Sequence, residues 1–141
     1  MERRNFIRLS VVGVATGVIA PALSVAESVK LPAAADIYYT KDAPGRWSGK
    51  VATHLPSIEI KKTGEEVLVT VVTAHEMKGY EHYIVKHVLL DQNYKFLQEH
   101  LFDPTKDTAA ISTFTLHDYK GPIYALSLCN KHDLWLNGAD V

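Results

Sequence analysis

Beyond residue 50 the apolar and polar positions alternate in short runs whose period is two, not 3.6. Residues 66–72 (Glu-Val-Leu-Val-Thr-Val-Val) are rich in β-branched side chains, as is the run at 83–90 that opens with Tyr83-Ile84-Val85. Residues 110–116 alternate cleanly, and 123–129 form another run entered from Gly121-Pro122. A shorter strand at 57–61 is set off by Lys62-Thr63-Gly64-Glu65, which has the composition of a hairpin turn. Strand side chains point alternately to opposite faces, so each run can bury one face. Several such runs with turn residues between them predict an all-β fold, an antiparallel sandwich. Helical periodicity, heptads and internal repeats are absent from the pattern.

One long apolar stretch is of a different kind. Residues 9–26 carry no charge, contain Gly13, Gly17 and Pro21, and follow Glu2-Arg3-Arg4-Asn5-Phe6-Ile7-Arg8. Two adjacent arginines ahead of an aromatic and an aliphatic residue resemble a twin-arginine export signal. Ser24-Val25-Ala26 ends the stretch with the small residues a signal peptidase accepts, so cleavage is expected before Glu27. An uncleaved anchor is the lesser alternative, because the stretch is broken by Gly and Pro and falls short of the roughly 20 residues of a bilayer span. The chain thus divides into a signal peptide at 1–26, an Ala-rich lead-in at 27–46 expected to be poorly ordered, and a body at 47–141. This organisation implies the twin-arginine translocase as a partner and the periplasm as destination.

A chain of 141 residues fits one domain. Its 15 basic and 16 acidic residues show no basic excess, which argues against nucleic acid as a partner. Loss of the leader removes Arg3, Arg4, Arg8 and Glu2, leaving 12 basic against 15 acidic residues and a net charge of −3. Composition adds one further feature: seven histidines and a single cysteine, Cys129. An odd thiol in an exported protein leaves intermolecular pairing, a reactive thiol or metal ligation as its explanations. Twin-arginine export of folded, often cofactor-loaded proteins favours metal.

Four histidines sit at predicted strand ends, where loops on a rigid frame carry function. His54 precedes Pro56 and the first strand, His75 follows the strand ending near Val72, His82 opens the next, and His132 follows Cys129. The segment Tyr124-Ala125-Leu126-Ser127, then Cys129-Asn130, His132, Leu134 and Trp135, is similar to the closing segment of the superoxide reductases, the desulfoferrodoxin and neelaredoxin family. His54-Leu55-Pro56-Ser57-Ile58-Glu59 resembles that family's first ligand segment. His75-Glu76-Met77 with Glu81-His82-Tyr83-Ile84 resembles its His-x-Met loop leading to Glu-His-x-Ile. The resemblance runs from about Trp47 to Trp135, with all three segments in chain order.

The resemblance implies an immunoglobulin-like antiparallel β-sandwich holding one mononuclear iron, cycling between Fe(2+) and Fe(3+). Its ligands would be His54, His75, His82 and His132, with Cys129 axial. The implied activity is one-electron reduction of superoxide to hydrogen peroxide. Imidazoles suit iron, and a thiolate pushes electron density through the metal. Backbone N–H groups after the cysteine are expected to tune it. The chain has no second set of cysteines for an additional iron centre, so an external electron donor is required. A second copy of the chain is a further candidate partner.

The chain departs from the family in two places. The Glu-Lys pair that typically precedes the first ligand is replaced by Ala52-Thr53. Lys50, just upstream, and Lys131, inside the Cys-x-x-His turn, are the candidate cations to attract the anionic substrate in its stead. The spacing from His75 to His82 is one residue longer than the family's, absorbed at Gly79-Tyr80. Outside the matched segments, His87, His100 and His117 read as surface or hydrogen-bonded residues, Tyr124 and Trp135 as core, and Glu76 and Glu81 as solvated. Two other functions compete: a non-catalytic iron-binding electron-transfer or redox-sensing protein on the same fold, and a sulfur carrier using Cys129 as a free thiol.

Overall fold

A computed structural model of the chain describes residues 24–25 and 29–141. Among the described residues eight strands occur in chain order: β1 (Ser24–Val25), β2 (Ser57–Thr63), β3 (Glu66–Thr73), β4 (Ile84–Leu90), β5 (Phe96–Leu101), β6 (Ala110–His117), β7 (Pro122–Cys129) and β8 (Asp133–Asp140). They form two four-stranded sheets, ordered β1-β2-β3-β6 and β5-β4-β7-β8, with every strand pair antiparallel. The expected sandwich is therefore present.

Alternation builds it. Along β6, Ala110, Ser112, Phe114 and Leu116 face inward while the residues between them face out. From β3, Val67, Val69 and Val71 meet Ile58 and Ile60 of β2 and, across the sandwich, Leu89, Ile123 and Ala125. Each fully buried aliphatic side chain contributes about 1.5–3 kcal/mol, so this layer supplies most of the driving force. A smaller apolar group, Ile84, Phe102, Ala110 and Cys129 with Met77 against it, fills one end of the sandwich. The β2–β3 hairpin closes through Gly64 at φ 61, a left-handed position that glycine takes without strain.

Two strands, β5 and β8, go beyond the sequence reading. β5 is an edge strand with no buried position, so it carries no in-out alternation. β8 contains Asp133, Asn137, Gly138 and Asp140, poor strand formers, and owes its conformation to full-length pairing with β7. Short helices also appear where none was expected: a 3₁₀ helix at Gly45–Lys50 runs into α1 (Val51–His54). Gly45 opens this segment at φ 51, with Asp36 and Tyr39 so close that a Cβ would lie 2.8 Å from each.

The lead-in is better fixed than its composition suggests. Tyr38 donates its hydroxyl to the Pro32 carbonyl, and Tyr39 exchanges backbone bonds with Leu134 and Leu136 and is fully buried. The expected signal peptide lies outside the described residues except for Ser24 and Val25, which pair with Ile60 and Glu59 on the outer edge of β2. Among the described residues no helix is long and apolar enough to cross a membrane.

Candidate metal centre

One end of the sandwich gathers side chains from both sheets. His54 is the last residue of α1, held there because Pro56 two positions on commits the chain to the extended conformation of β2. His75 follows β3, His82 precedes β4, Cys129 ends β7 and His132 lies in the turn to β8. The four imidazoles and the thiol offer ligand atoms that all lie within 4.8 Å of one another.

Their spacing suits a cation. His54 Nε2 and His82 Nε2 each lie 3.1 Å from His132 Nδ1, and His75 Nε2 lies 3.0 Å from His82 Nε2. Metal–nitrogen bonds of about 2.1 Å at right angles place adjacent donors about 3.0 Å apart. Cys129 Sγ stands 3.5 Å from His132 Nδ1 and 3.9 Å from His75 Nε2. Outer hydrogen bonds assign the tautomers: His54 Nδ1–H donates to the Lys50 carbonyl at 3.1 Å, and His75 Nδ1–H donates to the Glu76 carbonyl. Both therefore turn an Nε2 lone pair inward. Imidazole nitrogens at this distance either share a proton or bind a common cation, and a set of imidazoles and one thiolate is a transition-metal set, not one for calcium or magnesium.

Burial favours the neutral form of the imidazoles. It is the leading cause of lowered pKa at His54, His75, His82 and His132; at His54, burial and then His75 bring the value down to about 4. Burial likewise pushes the Cys129 thiol up, while the backbone N–H groups of Lys131 and His132 pull it back. A bound cation would favour the thiolate.

Lys50 and Lys131 both stand close enough for their charge to act on the cluster. Lys50 lowers the pKa of His75 and His132, whereas Lys131 acts on His82, His132 and the Cys129 sulfur. The remaining histidines lie apart from it. His100 and His117 are exposed, and His87 is buried and hydrogen-bonded between Thr73 and Ser112. Trp135 is fully buried and donates Nε1–H to the His132 carbonyl, and Tyr124 is buried too. Glu76 is exposed and paired with Lys78, and Glu81 is exposed.

Several residues that hold the site carried no separate signal in the sequence. The Asn130 amide donates to the carbonyls of Tyr80 and Glu81, and its oxygen accepts from the Tyr83 N–H, tying the 75–82 loop to the Cys-x-x-His turn. Asp133, at φ 63, accepts from Trp47 Nε1 at 2.9 Å and from Arg46 at 2.5 Å, and the Trp47 ring meets His132 edge-on at 4.8 Å. Asn130 was visible as a motif letter. Arg46, Trp47 and Asp133 act through contacts more than eighty residues apart, which spacing cannot reveal.

Comparisons with known proteins show a family and a shared fold. Residues 46–138 match the desulfoferrodoxin family model. Among solved structures, the chain is similar to the superoxide reductase (neelaredoxin) from Ignicoccus hospitalis, at 27% identity and a TM-score of 0.62 over 75% of this chain and 94% of that one. It is also similar to a superoxide reductase solved in the oxidised state, at 32% identity and a TM-score of 0.54 over 62% of this chain and 87% of that one. The superoxide reductase from Nanoarchaeum equitans, 22% identical with a TM-score of 0.59 over 74% and 99% of the two chains, shares the fold. No curated protein sequence matches the chain.

Proposed function

The chain belongs to the desulfoferrodoxin family, and from that premise we propose that it is a superoxide reductase. One iron would be held by His54, His75, His82, His132 and Cys129 and supplied with electrons by an external donor. The observation that carries this reading is the convergence of one sulfur and four imidazole nitrogens within 4.8 Å at spacings suited to a single ion.

When bound, iron supplies a one-electron ferrous–ferric step, by which superoxide with one electron and two protons becomes hydrogen peroxide. The chain's own residues prepare the place for it. Carbonyls of Lys50 and Glu76 fix His54 and His75 with their lone pairs inward, and burial favours the neutral form of all four rings. The Lys131 and His132 N–H groups temper the charge on the Cys129 sulfur. Lys131 acts on that sulfur, so Lys50 is the better candidate to draw in an anion. With a net charge of −3 on the body, a local cation of this kind matters for encounter. We extend the proposal to export by the twin-arginine route, tested by whether a periplasmic fraction yields a mature N-terminus at Glu27.

The test is anaerobic loading with ferrous iron followed by a pulse of superoxide. Oxidation at about 10⁸–10⁹ M⁻¹s⁻¹, with peroxide formed and no dioxygen, is the expected result. Lys50→Ala should slow it and weaken its dependence on salt. Slow oxidation indifferent to superoxide would favour the electron-transfer or redox-sensing reading, to which Ala52-Thr53 ahead of His54 lends support. Iron binding unchanged in Cys129→Ser would overturn the assigned ligand set. The burial of Cys129 argues against a sulfur carrier, whose thiol must be reached.

A further inference from the structure

Four polar side chains lie inside the otherwise apolar sandwich. Thr73 Oγ1 is 2.8 Å from His87 Nε2 and 2.8 Å from Ser127 Oγ, and His87 Nδ1 is 2.7 Å from Ser112 Oγ. All four residues are 3% exposed or less. Thr73 and Ser112 come from one sheet, His87 and Ser127 from the other. Each of the three bonds along Ser127, Thr73, His87 and Ser112 therefore crosses between the layers. Phe102 packs edge-on against the His87 ring at 4.9 Å and shields it.

Apolar contact alone does not fix how far one sheet slides over the other, whereas directional hydrogen bonds do. Their position gives the constraint a use. Thr73 ends β3, and its carbonyl accepts from the His75 N–H at 2.7 Å, a tight turn that aims His75 back over the core. Ser127 is two residues before Cys129 on the same inward face of β7, about 7 Å along the strand. One hydroxyl pair thus links the strand that delivers His75 to the strand that delivers Cys129.

We infer that the buried Ser127–Thr73–His87–Ser112 chain is a positioning device for the metal centre, setting the separation of the Cys129 sulfur from His75 by locking the two sheets in register beneath them. Thr73 is its pivot, since it bonds the network through its side chain and His75 through its backbone. The inference rests on the metal-binding reading given above and assigns these residues no contact with the ion.

Titration of the metal-free full chain with Co²⁺, followed by absorption, tests it. Wild type should show ligand-field bands together with a sulfur-to-cobalt charge-transfer band. Thr73→Val keeps the shape and removes the hydroxyl. It should bind Co²⁺ about 10–100-fold more weakly, with the charge-transfer band diminished relative to the ligand-field bands. Thr73→Ser should restore both. Wild-type affinity and band in Thr73→Val, whatever its melting temperature, would overturn the inference. Should that variant fail to fold, Ser127→Ala breaks the same link from the sulfur side, and an unaltered band there overturns the inference equally. Failure of wild type itself to bind Co²⁺ through sulfur would instead defeat the metal-centre reading, and the positioning role with it.

Discussion

Asn130 bonds three backbone groups of a loop to which it does not belong, so its loss should be felt at His82, which that loop carries. Asn130→Ala is expected to cost about 1–2 kcal/mol, at roughly 1 kcal/mol or less for each partly exposed bond. It should also speed metal loss, measured by urea denaturation and by chelator competition. His87 offers a test by pH. Burial lowers its pKa to about 4, below the 6.5 or so of an exposed imidazole, so the unfolded chain binds a proton that the folded protein refuses. Stability should therefore be retained at pH 7 and fall as pH drops through 6.5 toward 4. The shift corresponds to about 2 kcal/mol between pH 7 and 5. Denaturation of metal-free wild type and His87→Gln at both pH values checks this, because the variant should lack that share of the dependence.

At the scale of elements, the segment from Gly45 to His54 is joined to the start of β8 by the contacts of Arg46 and Trp47 with Asp133. Both members of the ion pair are exposed, so the pair alone adds little to stability. Asp133→Asn keeps a residue that tolerates positive φ and removes the charge. Its stability should change by no more than about 1 kcal/mol, while metal dissociates faster because the helix presenting His54 is less firmly seated. Stopped-flow chelation measures that difference. The elements also show what the residue pattern could reveal. β2, β3 and β6 bury one face and announce themselves through β-branched runs or alternation, while β4 and β7, each buried over three consecutive residues, read as near-continuous apolar runs. β5 has no buried position to set a pattern, β8 is held by its partner, and α1 is a single turn. The five donors were legible because Cys-Asn-x-His and the two histidine segments are local. The groups that align them, from Thr73 to Asp133, bond across the fold and left no local mark.

Considered as a whole, the molecule joins its two layers at the metal end. His75 leaves one sheet, His82, Cys129 and His132 belong to strands or turns of the other, and His54 arrives on a helix that leads into β2. A cation bound by all five would cross-link segments as distant as residues 54 and 132. It should raise the melting temperature with the logarithm of free metal concentration above Kd, with about 2.7 kcal/mol gained at 100 times Kd. Calorimetry with and without ferrous iron or Co²⁺ under anaerobic conditions reads this directly. The opposite pole is built otherwise. There the β2–β3 hairpin turns through Gly64, around which a Cβ would meet no atom within 4 Å. A thiol or peptide tag grafted into that turn would tether the protein to an electrode by its far pole and leave the histidine-cysteine end facing the solution, a ready geometry for a sensor.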